Sequence, residues 1–152
     1  MSDMSRPNPA HYASPEDASR AFYESFEQGD IAAMMRVWSD DDEIFCIHPG
    51  GPRNIGPTAV RAAWEEIFGG TTRLKFQLEQ QLFFVGASMA VQSVLEYVQV
   101  NDEPKLRGPA IATNIYTRTV GGWRMIAHHA APSPEMPATT SPTPSARTGT
   151  LH

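Results

Sequence analysis

Near the middle of the chain the spacing of apolar residues changes, and that change limits the folds open to it. Before Gly70 the apolar residues recur every three or four positions. Ile31, Met34, Met35 and Trp38 fall at i, i+3, i+4 and i+7, the stripe of an amphipathic helix. After Gly70 the period drops to two: Leu74, Phe76 and Leu78 alternate with Lys75, Gln77 and Glu79, as in a strand with one wet face. Helices first and antiparallel strands afterwards make an α+β arrangement, with the helices packed on one face of a curved sheet.

The boundaries follow from local chemistry. Ser14-Pro15-Glu16-Asp17 starts a first helix: a capping hydroxyl, a proline suited to the first turn, and acids at the positive end of the dipole. Gly29 ends it, Asp30 caps a second helix, and Asp40 to Asp42 form a solvated turn after that. Glu43 to His48 reads as a short strand and Pro49 to Pro57 as a Gly/Pro-rich loop. A third helix runs from about Thr58 to Phe68. Strands follow over Met89–Val100, Ala110–Val120 and Trp123–Ala131. The Gly121-Gly122 pair predicts a hairpin between the last two.

Residues 1–13 are polar and are expected to be loose. The segment 132–152 is rich in Pro, Ser and Thr and lacks aromatic residues, so it cannot offset its ordering entropy and reads as a disordered tail. The folded domain is then 14–131. A net charge of −5 with no basic cluster argues against nucleic acid and anionic membrane surfaces as partners. A single cysteine, Cys46, excludes an internal disulfide and reads as a small buried hydrophobe. No apolar run is long enough to span a bilayer, and the first residues carry no signal-peptide core, which leads to the expectation of a cytoplasmic protein.

The element order, with "GD" after the first helix, "GPTAV" entering the third and "ATNIYTRTVGGWRMIAHHAAP" at the end, resembles the nuclear transport factor 2-like superfamily. It is most similar to its SnoaL-like branch and to the association domain of calcium/calmodulin-dependent kinase II. The resemblance implies a cone-shaped barrel of the cystatin-like type: a bent antiparallel sheet wrapped around three N-terminal helices, with a pocket at one end. It also implies a homodimer formed through the outer sheet face, where Ile111, Thr113, Ile115 and Thr117 alternate with inward residues. The superfamily holds isomerases, dehydratases, cyclases and non-catalytic scaffolds, so the site must decide the chemistry.

A two-residue turn at Gly121-Gly122 pairs Val120 with Trp123 and sets Asn114 opposite His129. One face then carries Asn114, Tyr116, Trp123, Met125 and His129, and it is assigned to the interior. Asn114 and His129 either bond each other and fix the register or meet a ligand. His128 and His129 point to opposite sides, so they cannot jointly hold a metal; neither metal nor cofactor is expected. His48-Pro49 can be aligned with the "DP" general base of ketosteroid isomerase, a superfamily member, which implies proton transfer by His48. The isomerase's protonated acid aligns with Asn114, an amide still able to donate to an oxyanion. Its helix-one tyrosine aligns with Phe22, while Tyr23 lies about 100° round the helix, so steroid isomerisation is not expected. The arginines of the kinase association domain align with Asn114 and Ala130, which argues against a strongly anionic ligand. Trp38, Trp64 and Phe22 form core that can also wall a pocket.

Two functions are consistent with these residues. One is a cofactor-independent isomerase, dehydratase or cyclase acting next to a carbonyl of a small organic molecule, with His48, His129 and Asn114 as catalytic groups and Tyr116, Trp38, Met125, Trp123, Trp64 and Phe22 around the ligand. The other is a dimeric ligand-binding or assembly module without turnover.

Overall fold

The computed structural model describes residues 11–134. Helix α1, Pro15–Gln28, begins where Ser14 Oγ accepts the Asp17 N–H at 3.1 Å. It ends at Gly29, whose φ of 65° is the left-handed closure glycine allows at least cost. Asp30 accepts the Ala33 N–H at 3.0 Å and starts α2, Ile31–Val37. Helix α3, Pro57–Phe68, follows two short strands, β1 (Phe45–Ile47) and β2 (Arg53–Ile55). The long strands are β3 (Leu74–Val85), β4 (Met89–Val100), β5 (Arg107–Thr119) and β6 (Gly122–Pro132).

All six strands form one curved sheet in the order β2-β1-β6-β5-β4-β3. Every pairing is antiparallel except β1 with β6, which run parallel. The sheet is not closed: β2 and β3 are its edges. The expected loop at 49–57 therefore holds a strand, because Arg53–Ile55 turns back to pair with Phe45–Ile47.

The helices cover the concave face. Phe22, Met34, Trp64, Tyr116 and Met125 are fully buried there, each contributing roughly 1.5–3 kcal/mol through area removed from water. Phe22 and Phe26 of α1 meet Trp64 of α3 edge-on, with centroids 5.5 and 4.8 Å apart. Trp38, at the end of α2, makes a parallel bridge to Met125 and is buried.

The β5–β6 register differs from the sequence expectation in two places. The turn falls one residue early, at Val120-Gly121, so Thr119 pairs with Gly122 and Arg118 with Trp123. The Thr119 hydroxyl sets this turn by donating to the Gly122 carbonyl at 2.6 Å and accepting from the Gly121 N–H at 3.1 Å. A bulge at Ile126 then shifts the pairing, giving Tyr116 opposite Met125 but Ile115 opposite Ala127. Asn114 thus faces His128, not His129. An extra residue in a strand reverses which side later residues face.

The Trp123 N–H donates to the Tyr12 carbonyl at 2.8 Å, so the chain is tied to the sheet two residues before Ser14. Residues 1–10, and the expected tail from 135 onward, lie outside the described residues. Among the described residues no helix is long and apolar enough to cross a membrane.

Candidate functional site

Four polar side chains project from the sheet into the apolar interior: Gln92 and Glu96 from β4, Asn114 from β5 and His128 from β6, all nearly or fully buried. Buried polar groups must be bonded, and these bond largely to one another. His128 Nδ1 lies 2.6 Å from Asn114 Oδ1. Asn114 Nδ2 donates to the Tyr23 hydroxyl at 3.0 Å and to Gln92 Oε1 at 3.1 Å. Tyr23 donates to Glu96 Oε2 at 2.6 Å, and Tyr116 donates to Gln92 Oε1 at 2.7 Å. Tyr23 belongs to α1, so the network fastens the first helix to the middle of the sheet.

Both ends of this network, Glu96 and His128, line a cavity of about 190 Å³. His48 and Pro49 close another side, and Phe26, Phe76, Val98 and Ala130 supply apolar wall. His48 stands just past β1, where the Gly51 N–H donates to its carbonyl at 2.8 Å across a tight turn. Gly50 takes the φ of 75° that this turn needs. The His48 ring meets Trp64 edge-on at 4.6 Å and lies 5.9 Å from the His128 ring. Its Nε2 touches Cys46 Sγ at 3.4 Å. Larger grooves of about 340 and 460 Å³ run along the outside of α1 and β3. Solvated charged side chains such as Glu24, Arg20 and Arg73 line them, so size alone does not identify the site.

Burial dominates the electrostatics. It pushes the Glu96 carboxyl from an ordinary 4.5 up to about 7, against a smaller downward pull from the Tyr23 hydroxyl. It holds His48 down at about 4 and, with the repulsion of the neighbouring imidazoles, His128 down at about 3. It raises the Cys46 thiol to about 12, which keeps the sulfur protonated and unreactive. Near neutrality the cavity therefore holds two uncharged imidazoles and one carboxyl poised between its two states. No group of three His, Cys, Asp or Glu placed to hold a metal occurs among the described residues.

Of the residues singled out in the sequence, His48 lines the cavity. His129 lies exposed on the other side of β6, for the register reason given above. Asn114 is fully buried in the network and is not part of the cavity wall. Tyr116, Trp38, Met125, Trp123, Trp64 and Phe22 are all core and none lines the cavity, although Trp64 and Phe22 pack directly on its imidazoles. Glu96, which the sequence pattern does not single out, and His128, which it sets on the opposite face, also line the cavity. The phase of β4 held a signal for Glu96: Ala90, Gln92, Val94 and Glu96 fall on alternate positions, and Ala90 and Val94 are core. Tyr23 lies about 100° round the helix from Phe22, yet the curved sheet embraces enough of α1 to bury both together.

Comparison with known proteins agrees with this architecture. Residues 16–134 match the SnoaL-like domain. A Thiobacillus denitrificans protein provisionally assigned as a calcium/calmodulin-dependent protein kinase type II association domain is 37% identical, with a TM-score of 0.77 over 82% of this chain and 98% of its own. A Streptomyces avermitilis protein provisionally assigned as a dehydratase of the NTF2-like family is 29% identical, with a TM-score of 0.69 over 76% of this chain and 91% of its own. The F-box protein SKIP8 of Arabidopsis thaliana is 28% identical over 101 residues, 66% of this chain but only 42% of that protein. With the sheet, the buried polar network and all but the first helical residue inside the matched region, this chain belongs to the SnoaL-like family and carries its NTF2-like, cystatin-like fold.

Proposed function

We propose that the chain binds a small, mainly apolar organic molecule in the cavity and moves a proton on it without a cofactor. The observation that supports this reading is the convergence of His48, Glu96 and His128 on one small apolar space. Glu96 is the better proton carrier. At about 7 against about 4 for His48, it is roughly a thousandfold the stronger base, and its value suits transfer in both directions near neutral pH. Glu96 takes a proton from the carbon next to a carbonyl, exchanges it with solvent while the enolate persists, and gives a proton back to the enolate, at the same carbon or at a neighbouring one. His48, uncharged, gives its N–H to the oxygen on which charge develops. Isomerisation next to a carbonyl is the simplest reaction of this kind.

The test uses cyclohexanone, a ketone of one-ring size, in heavy water. NMR should show loss of its α-proton signal with the wild-type protein at a rate well above buffer. Glu96→Gln should abolish the exchange, and Ala130→Trp, which fills the cavity, should abolish it by excluding the ketone. Binding of the ketone without exchange in the wild type would favour the ligand-binding module that does not turn its ligand over.

The same reading includes a homodimer. The convex sheet face exposes Leu82, Phe84, Met89 and Ile111 at 57%, 67%, 47% and 42%, apolar side chains that a second copy of the chain would cover.

A further inference from the structure

The network around Asn114 has a direction, and the direction fixes what the cavity asks of a ligand. Tyr23 has one hydroxyl proton and gives it to Glu96 Oε2. Its oxygen must then accept from Asn114, which therefore turns its amide nitrogen toward Tyr23 and Gln92. Gln92 Oε1 is already an acceptor for Tyr116, which supports the same orientation. The Asn114 oxygen is left facing His128, and at 2.6 Å it needs a proton between them. Asn114 Oδ1 has none to give, so the proton sits on His128 Nδ1. A neutral imidazole protonated at Nδ1 carries a bare lone pair at Nε2. Nothing else among the described residues bonds that nitrogen, and His128 lines the cavity. Glu96 repeats the pattern: Oε2 is taken by Tyr23, while Oε1 has no protein partner among the described residues and the residue is 6% exposed.

We infer that the cavity recognises a neutral ligand of about one ring through a hydroxyl group, phenolic, enolic or alcoholic, that donates its hydrogen to His128 Nε2. This rests on the reading of the cavity as the binding site and adds the ligand class. Size follows from the volume, since an apolar protein cavity of about 150 Å³ takes up benzene. Neutrality follows from the wall: it holds no arginine or lysine, so a carboxylate or phosphate would meet the His128 lone pair, the Glu96 carboxyl and no donor beyond the N–H of an uncharged His48, with no cation to balance its charge. A hydroxyl held at His128 leaves the carbon skeleton free to face Glu96. His128 is then a binding residue, and Asn114 is a positioning residue acting through it.

The experiment is a titration of the full chain with phenol, toluene and benzoate, followed by protein-observed NMR. A parallel measurement of the imidazole ¹⁵N resonances reads the tautomer of His128. Phenol should bind at least tenfold more tightly than toluene, benzoate should not bind, and His128 should be protonated at Nδ1 and bare at Nε2. In Asn114→Leu the tautomer preference should disappear together with the advantage of phenol. Toluene binding as tightly as phenol would overturn the inference while leaving the cavity as a binding site. A His128 protonated at Nε2 in the wild type would overturn it even if the variant fails to fold. Failure of all three compounds to bind would overturn both this inference and the reading of the cavity.

Discussion

Glu96 and the two imidazoles give stability opposite dependences on pH. The folded value of Glu96, about 7, lies above its ordinary 4.5, so its contribution is present in acid and lost as pH rises through that interval. The folded values of His48 and His128, about 4 and about 3, lie below 6.5. Their contribution is complete above that pH and is lost as pH falls toward those values. Between pH 6.5 and 4.5 two imidazoles thus work against one carboxyl, and these groups together lower stability as acid is added. In Glu96→Gln the opposition is gone, and the melting temperature should fall about twice as steeply across that window. Equal slopes for the two proteins in calorimetry would mean that Glu96 titrates at its ordinary value. Tyr23→Phe removes the one hydrogen bond that lowers the Glu96 value and strands one Asn114 N–H. It should raise that value further, read from the carboxyl ¹³C shift, and cost about 1–3 kcal/mol.

At the scale of elements, the bends in the strands place the site. Gly108, which lines the cavity, has a φ of 106°, and a side chain there would stand 2.8 Å from the Glu96 carbonyl oxygen. Both obstacles are backbone and cannot swing aside. Gly108→Ala should cost about 1–3 kcal/mol in denaturant unfolding and weaken phenol binding, because relief requires β5 to move away from Glu96. An unchanged midpoint would show that the strand pair tolerates the shift. The elements themselves were legible in the sequence because caps and periodicity are local. Ser14, Gly29 and Asp30 act within four residues, and the alternation of Leu74 to Glu79 needs no partner. Register was not legible. A Gly-Gly pair marks a hairpin, but the hydroxyl of Thr119 decides where it turns, and nothing local marks the bulge at Ile126. That one residue exchanged His129 for His128 in the interior. β2 was hidden for a related reason: three residues in a Gly/Pro-rich loop become a strand only when β1 is there to pair with them.

For the whole molecule, the fold was legible and the site largely was not. Fold class depends on summed patterns over many residues, whereas the cavity depends on which few polar side chains meet, and Asn114, Gln92, Glu96 and Tyr23 meet across three separate elements. His48, which lines the cavity, is legible in the sequence because its strand-end position is a local feature. The apolar convex face leads to a prediction at this scale. Light scattering should give twice the chain mass for the wild type and a single chain mass for a Phe84→Glu, Ile111→Glu variant, with unchanged circular dichroism since both side chains are exposed. A wild type already at single mass would remove the dimer from the proposal.

The parallel pairing of β1 with β6 also orders events in time. Phe45 lies beside Ala127 and Cys46 beside His128, partners about 80 residues apart along the chain. Contacts of such long sequence separation form slowly, since a large loop must close before they stabilise anything. His48 leaves the ribosome early and can meet Cys46 and Trp64, but His128 reaches it only when the last strand has been synthesised and laid between β1 and β5. The cavity is therefore among the last features that the nascent chain completes, and a chain cut short before β6 would keep the segments for the helices, the β1-β2 pair and the β3-β4-β5 meander but lack the His128 and Ala130 wall of the cavity.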